Sequence, residues 1–260
     1  MAAYQRVLIG TDGSEPALVA VDVAASITAR LHVPATVVAA WRHDMQVPGS
    51  GSESWAESVS GAAAEIVKTA GVEDVSTVQR QGSGSEVLID VAGEHPDSLL
   101  VVGARGLGRT AARLSGSTSN NLSHHSPVDV LFVQKKPRHW ATVGLATDGS
   151  ETSVRAVRQG YAVATALGAR AFLVTAAKNE EDGTRVLTEV EQQLGATDLE
   201  HEVLTGVAPS EALVNAGWKF DILVIGNRGM SGPARFLGSV ANKVTHESEA
   251  NLLLVNSTRS

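Results

Sequence analysis

No cysteine occurs among the 260 residues. That excludes disulfides, thiolate metal sites and cysteine nucleophiles together, and it suits a reducing compartment. Aromatic residues are scarce, at 4%, so little material exists for stacking bases along a nucleic-acid strand. Basic residues are outnumbered, 21 Lys+Arg against 28 Asp+Glu, for a formal charge of -7. Nucleic-acid binders usually carry a basic stripe, and here the basic pieces are as short as Lys135-Lys136. Long apolar runs are missing too: Leu99 to Val102 and Leu252 to Val255 are strand-length, far below the ~20 residues of a membrane helix. The chain runs directly into strand-like Arg6-Val7-Leu8-Ile9, without the basic and then apolar pattern of a secretory leader. Nucleic acid and membrane are therefore not expected as partners, and the expected location is cytoplasmic.

What the chain does have is 43% hydrophobic residues, enough for two ordinary cores, and an internal repeat. Val7-Leu8-Ile9-Gly10-Thr11-Asp12-Gly13-Ser14-Glu15 returns as Val143-Gly144-Leu145-Ala146-Thr147-Asp148-Gly149-Ser150-Glu151. Leu100-Val101-Val102-Gly103-Ala104-Arg105-Gly106 returns as Leu223-Val224-Ile225-Gly226-Asn227-Arg228-Gly229, Gly116-Ser117 as Gly238-Ser239, and Val130 to Val133 as Leu252 to Val255. The order is the same in both halves, which marks a duplication. The join falls near Lys135-Lys136-Pro137-Arg138-His139, a polar segment whose proline suits a linker. The expected domains are residues 1–136 and 139–260.

Within the first copy, patterns alternate: strand 5–10, helix 14–31, strand 35–41, helix about 54–70, strand 75–81, helix 84–94, strand 98–103, loop, helix 117–125, strand 128–134. Ser14 and Ser150 stand where helix N-caps belong. Strands alternating with helices, and reading as near-continuous apolar runs, predict an α/β fold of parallel sheet with helices on both faces. The second copy lacks the stretch that in the first contains Val47 to Ser54, which reads as a surface insertion.

The chemically informative segment is Gly103-Ala104-Arg105-Gly106, then nine residues, then Gly116-Ser117. It leaves a strand, crosses a glycine-rich loop and enters a helix at a serine. Glycines let backbone N–H groups approach a phosphate, and a helix N-terminus adds free donors and partial positive charge. Arg105, Arg109 and Arg113 add charge; the second copy has Arg228 and Arg235. Two readings are open: an anion site, or a shaped turn with a capping serine. Recurrence in two drifted copies favours the site. Neither G-x-x-x-x-G-K-[ST] nor an ordered G-x-G-x-x-G occurs after the first strand, which argues against a P-loop and against a dinucleotide site. Thr11-Asp12-Gly13-Ser14, matched by Thr147 to Ser150, ends the first strand of each copy. A carboxylate repels phosphate, so Asp12 is expected to face a base, a ribose or a cation, or else simply to make an Asx turn. Trp41 either stacks on a base or packs at its strand end. His124, His125 and His246 fall near the ends of the last helices, where they suit the helix dipole better than a metal. No nucleophile elbow or zinc-protease motif is present, and no catalytic or metal-ligating residue is assigned.

Gly-x2-Gly-x9-Gly-[Ser/Thr] after the fourth strand, with Asp at the end of the first, resembles the ATP-binding pattern of the universal stress protein family, and the resemblance covers both halves. It implies two tandem open parallel five-stranded sheets in the order 3-2-1-4-5. It also implies adenine near Asp12, Ala40 and Trp41, with Gly10 and Thr11 beneath the nucleotide. Ribose and phosphates would lie along Gly103, Arg105, Gly106, Gly108 and Arg109, with further phosphate contact at Gly116, Ser117 and Thr118. The matching second-copy residues are Asp148, Gly226, Arg228, Gly229, Gly238, Ser239 and Val240. There the loop is one residue shorter and Ala146 replaces Gly10, so the tighter site is expected in the first copy. The cofactor implied is ATP, with Mg²⁺ as an accompanying cation that only Asp12 is placed to hold. Pairing of the fifth strands, Asp129 to Gln134 and Asn251 to Asn256, would make the copies a domain–domain pseudo-dimer, and such edges also suit a homodimer. The function implied is a nucleotide-dependent regulatory switch in stress response, with unidentified protein partners. The alternatives are a slow ATPase, disfavoured because no catalytic base accompanies the phosphate loop, and a scaffold that needs no nucleotide.

Overall fold

A computed structural model of the chain describes residues 3–42, 51–104, 117–196, 198–227 and 237–257. Contacts divide these into two compact units that change over between Lys136 and Pro137. The first contains β1 (Arg6–Gly10), α1 (Glu15–Leu31), β2 (Ala35–Trp41), α2 (Glu53–Thr69), β3 (Val75–Gln81), α3 (Gly84–Glu94), β4 (Ser98–Gly103), α4 (Ser117–His125) and β5 (Asp129–Val133). The apolar periodicity of the sequence locates these elements to within about a residue of each end, the usual disagreement between ways of defining an end. The Val47–Gly51 part of the first-copy insertion lies almost wholly outside the described residues.

Every strand pair in this unit is parallel, and the pairings β3–β2, β2–β1, β1–β4 and β4–β5 give the order 3-2-1-4-5. The central strand is buried from Val7 onward: Val7, Leu8 and Ile9 are inaccessible to solvent. Such two-sided burial needs helices on both faces. α1 packs on α2 and on β1 and β4, while α3 packs on α4. α1 buries Ala17, Ala20, Val21, Ala24 and Thr28 along one face, and Val23, Ala25 and Ile27 widen it, as a helix packed between sheet and a second helix requires. It starts at Ser14, whose hydroxyl accepts from Ala17 N–H at 3.4 Å.

The second unit repeats the plan with β6 (Thr142–Ala146), α5 (Glu151–Leu167), β7 (Arg170–Ala176), α6 (Glu180–Leu194), β8 (Glu200–Leu204), α7 (Pro209–Ala216), β9 (Ile222–Gly226), α8 (Ser239–Glu247) and β10 (Asn251–Val255). Its order is β8-β7-β6-β9-β10, again all parallel. In each unit the strand order reverses beside the first strand, between its two neighbours.

The cores of the two units are not packed alike. Leu8 of β1 is fully buried, and its repeat partner in β6 is Gly144. The space goes to Phe220, whose ring lies so close that a Cβ on Gly144 would stand 2.6 Å from Cδ2. Phe220 also meets Phe172, ring centroids 5.7 Å apart. A leucine on the strand has been exchanged for an aromatic reaching in from the start of β9. We expect Phe220→Ala to destabilise the second unit by about 3–5 kcal/mol, read from urea unfolding, and Gly144→Ala to destabilise it as well because the ring has to move. Unchanged midpoints for both variants would show that this packing contributes little.

Candidate ligand site at the switch point of the sheet

In an open parallel sheet, ligands bind beyond the carboxyl ends of the strands where the strand order reverses. In the second unit a cavity of about 330 Å³ opens there. Ala146 and Thr147 line it from the end of β6, Val174 and Ala176 from β7, and Ile225 and Gly226 from β9. Pro209 and Leu213 of α7 close one side, and Gly238, Ser239, Val240 and Ala241 at the start of α8 close another. One part of the lining is therefore apolar and another is the N-terminus of a nine-residue helix.

That helix start carries no side-chain cap. Gly238 is its N-cap, with φ -59 and ψ 150, and no side chain among the described residues bonds there. Ser239 is thus the first helical residue and not the cap, which corrects the capping alternative for this copy. Free N–H groups at a helix start carry partial positive charge and suit an anion. The helix start is tied to the end of β9: Gly238 N–H donates to the Asn227 carbonyl at 3.0 Å. Asn227 is held in turn, its Oδ1 accepting from the Ser257 backbone N–H at 3.1 Å and from the Ser257 hydroxyl at 2.8 Å. Arg228 and Gly229 lie outside the described residues.

At the other end, Thr147–Ser150 forms a tight turn into α5, with Gly149 at φ +80. Thr147 Oγ1 accepts from Gly149 N–H at 3.1 Å. Asp148 Oδ1 accepts from the Ser150 N–H at 3.0 Å and from its hydroxyl at 2.6 Å. Burial pushes the Asp148 carboxyl up, but the hydrogen bonds from the Ser150 hydroxyl and N–H outweigh it and hold the group below its ordinary value. The carboxylate is therefore ionised and oriented at the cavity rim.

The first unit makes the same turn with fewer bonds. Thr11 accepts from Gly13 N–H at 3.2 Å, and Asp12 Oδ1 from Ser14 N–H at 3.0 Å. Asp12 thus makes the Asx turn that was one of the two readings of its sequence. A Cβ at Gly10 would lie 3.0 Å from both Leu88 Cδ1 and Val102 Cγ1, so Gly10 makes room for packing. The second unit accommodates the Ala146 methyl at this position and still has the cavity. Gly103 meets a different demand: a Cβ there would stand 2.8 Å from the Pro16 carbonyl oxygen, so the residue lets α1 come close. Ala40 and Trp41 end β2, and the Trp41 carbonyl accepts from Gly82 N–H at 3.0 Å. Ser117 begins α4 and Thr118 follows, its hydroxyl facing Gly84. Arg105, Gly106, Gly108, Arg109 and Gly116 lie outside the described residues.

In the second unit the fold brings Asp148, Gly226, Gly238, Ser239 and Val240 together around one cavity. Sequence reading missed Ser153, Leu213 and Ala176. Ala176 was within reach: Gly10 pairs with Val38 and Ala146 with Val174, so Ala176 is the counterpart of Ala40. The carboxyl carbon of Asp148, followed by NMR through a pH titration, is expected to show a midpoint below the reference value of ~3.9. The sign follows from the lowered folded-state value. The turn's contribution to stability is complete above pH ~4 and fades as pH falls through the folded-state midpoint. Ser150→Ala is expected to move the midpoint up; no movement would show that these hydrogen bonds do not hold the charge.

Comparison with known proteins agrees with this architecture. A model of the universal stress protein family matches residues 3–134 and 178–256. A universal stress protein of Mycobacterium tuberculosis is 33% identical over 143 residues, which cover 51% of this chain and 98% of the relative. A universal stress protein structure from Archaeoglobus fulgidus DSM 4304 has a TM-score of 0.74 at 17% identity, covering 98% of this chain and 99% of that one. A universal stress protein solved in complex with cAMP is 31% identical and covers 50% of this chain and 97% of its own, with a TM-score of 0.44.

Proposed function

The chain belongs to the universal stress protein family, and from that premise we propose that it binds an adenine nucleotide, ATP in the first instance, as a regulatory switch. The observation that carries the reading is the pairing, in one cavity, of an uncapped helix start with an oriented carboxylate. The N–H groups of Ser239, Val240 and Ala241, which meet no acceptor among the described residues, suit phosphate oxygens, and Gly226 and Gly238 carry no side chain beside them. The apolar wall of Val174, Leu213 and Ile225 suits the flat faces of a base. Asp148 would be repelled by phosphate, so the nucleoside end belongs with it. By the repeat, Gly10 to Asp12, Ala40, Gly103, Ser117 and Thr118 form the corresponding site of the first unit, with Arg105 and Arg109 supplying positive charge.

A switch is favoured over an enzyme by the chemistry of the lining. A general base must lie within hydrogen-bond reach of the water it activates. The carboxylate at this cavity lies at the end that should hold the nucleoside, and its Oδ1 already accepts two hydrogen bonds. Mg²⁺, which would neutralise phosphate charge when bound, would rely on the same Asp12 or Asp148 carboxylate. Multiple-turnover phosphate release is expected to run far below ~10 s⁻¹. Release at that rate, abolished by Asp148→Asn or Asp12→Asn, would make the protein an ATPase.

Binding is tested by Ser239→Asp. A carboxylate at the first helical position favours the helix dipole and should leave the unfolding midpoint unchanged or slightly raised. Facing a phosphate at a desolvated site, the same charge is expected to cost several kcal/mol, on the order seen for like charges across interfaces. Calorimetry with ATP should therefore lose one site while stability holds. Retention of every site in Ser239→Asp, or absence of adenine from the supernatant of the denatured protein together with no ATP heat, would remove the reading.

A further inference from the structure

The two turns that end β1 and β6 share the sequence Thr-Asp-Gly-Ser, yet they are held differently: where the first unit has Pro16 and Ala17, the second has Thr152, whose hydroxyl pairs with that of Ser150 at 3.1 Å, and Ser153, which bonds the turn itself. Position three of α5 is Ser153, buried and lining the cavity; its repeat partner in α1 is Ala17. The Ser153 hydroxyl donates to the Ser150 carbonyl at 2.9 Å. With its proton committed there, its oxygen acts as an acceptor. It takes the Asp148 N–H at 3.4 Å and, in the 2.9 Å pair with Thr147 Oγ1, the proton of the threonine hydroxyl. The strand end, the carboxylate residue and the helix start are thus joined through one buried oxygen. In the first unit Ala17 supplies nothing equivalent. Thr11 Oγ1 accepts from Gly13 N–H, but its own proton meets no acceptor among the described residues. Asp12 accepts from the Ser14 backbone but not from its hydroxyl, whereas Asp148 accepts both.

We infer that Ser153 is a positioning residue that makes the second unit the tighter of the two nucleotide sites. The inference rests on the nucleotide reading above and reverses the ranking that the sequence alone suggests. Its physical basis is preorganisation. A loop already ordered in its binding geometry loses less freedom when ligand arrives, so more of the contact energy remains as affinity. Ser153 does not need to touch the ligand. It acts through Thr147 and Asp148, which face the cavity beside it. The Ala146 methyl, which argues from sequence for a weak second site, lines the cavity and leaves it in place.

The test is titration calorimetry of the full chain with ATP, comparing wild type, Ser153→Ala, Ser153→Thr and Ala17→Ser. Wild type is expected to bind in two phases. Ser153→Ala should weaken the tighter phase about tenfold, the scale of one net hydrogen bond, and leave the weaker phase alone. Ser153→Thr keeps the hydroxyl and should keep the tight phase, and Ala17→Ser should strengthen the weaker one. Amide exchange at Asp148 and Gly149 in the nucleotide-free protein should speed up in Ser153→Ala and not in Ser153→Thr. Two phases unchanged in Ser153→Ala would overturn the inference while leaving nucleotide binding intact. So would an equal loss in both phases together with a lowered unfolding midpoint, the mark of a purely structural role. No ATP heat in any variant would overturn the nucleotide reading itself and this inference with it.

Discussion

The reversal of strand order beside β1 and β6 is the constraint on which the rest depends. Parallel strands deliver all their carboxyl ends to one edge, and each must be followed by a return through a helix. Where the chain first adds strands on one side and then crosses to the other, the neighbouring return segments part and leave a crevice. In the second unit the elements that part are α5, entered through Thr147–Ser150, and α8, entered at Gly238. The cavity lies between them. Its polarity is a consequence of the same geometry: one helix start is closed by its own Ser150 cap and turned into a carboxylate platform, while the other is left open at Gly238.

Duplication has preserved this arrangement while interiors drifted by compensation. The exchange of Leu8 for Gly144 with Phe220 keeps a filled core by moving bulk from one element to another, as close packing requires. Buried polar groups have drifted in the same paired way. In the first unit Tyr4 donates to the buried Asp129 at the start of β5, at 2.9 Å. In the second the same place holds Asn251, whose amide donates to the Asp221 carbonyl at 2.9 Å, while the Asp221 carboxylate accepts from Ala141 and Thr142 N–H. Each solution leaves these buried groups bonded, which is the condition for keeping them. Ser153 for Ala17 belongs to this series but differs in place, because its hydroxyl stands at the cavity.

The order of elements, their ends and the parallel sheet were legible in the chain because apolar periodicity and the repeat are local properties, set by which faces of each segment are buried. The Thr-Asp-Gly-Ser turns and the glycines bracketing the long loops were legible for the same reason, since turn chemistry acts within a few residues. What these glycines make room for was not. Gly103 is small because the Pro16 carbonyl approaches it, and Gly10 because Leu88 and Val102 do; these neighbours are distant in sequence and only the packing of α1, α3 and β4 supplies them. Likewise Leu213 and Ser153 carry no motif. They reach the cavity because β6 lies between β7 and β9, so residues far apart in sequence converge on it. The sequence by itself thus determined the architecture and the position of the crevice, through burial and chain reversal. Only the tertiary structure decided which turn is rigid and which helix start is open, because both depend on hydrogen bonds whose partners are chosen by packing.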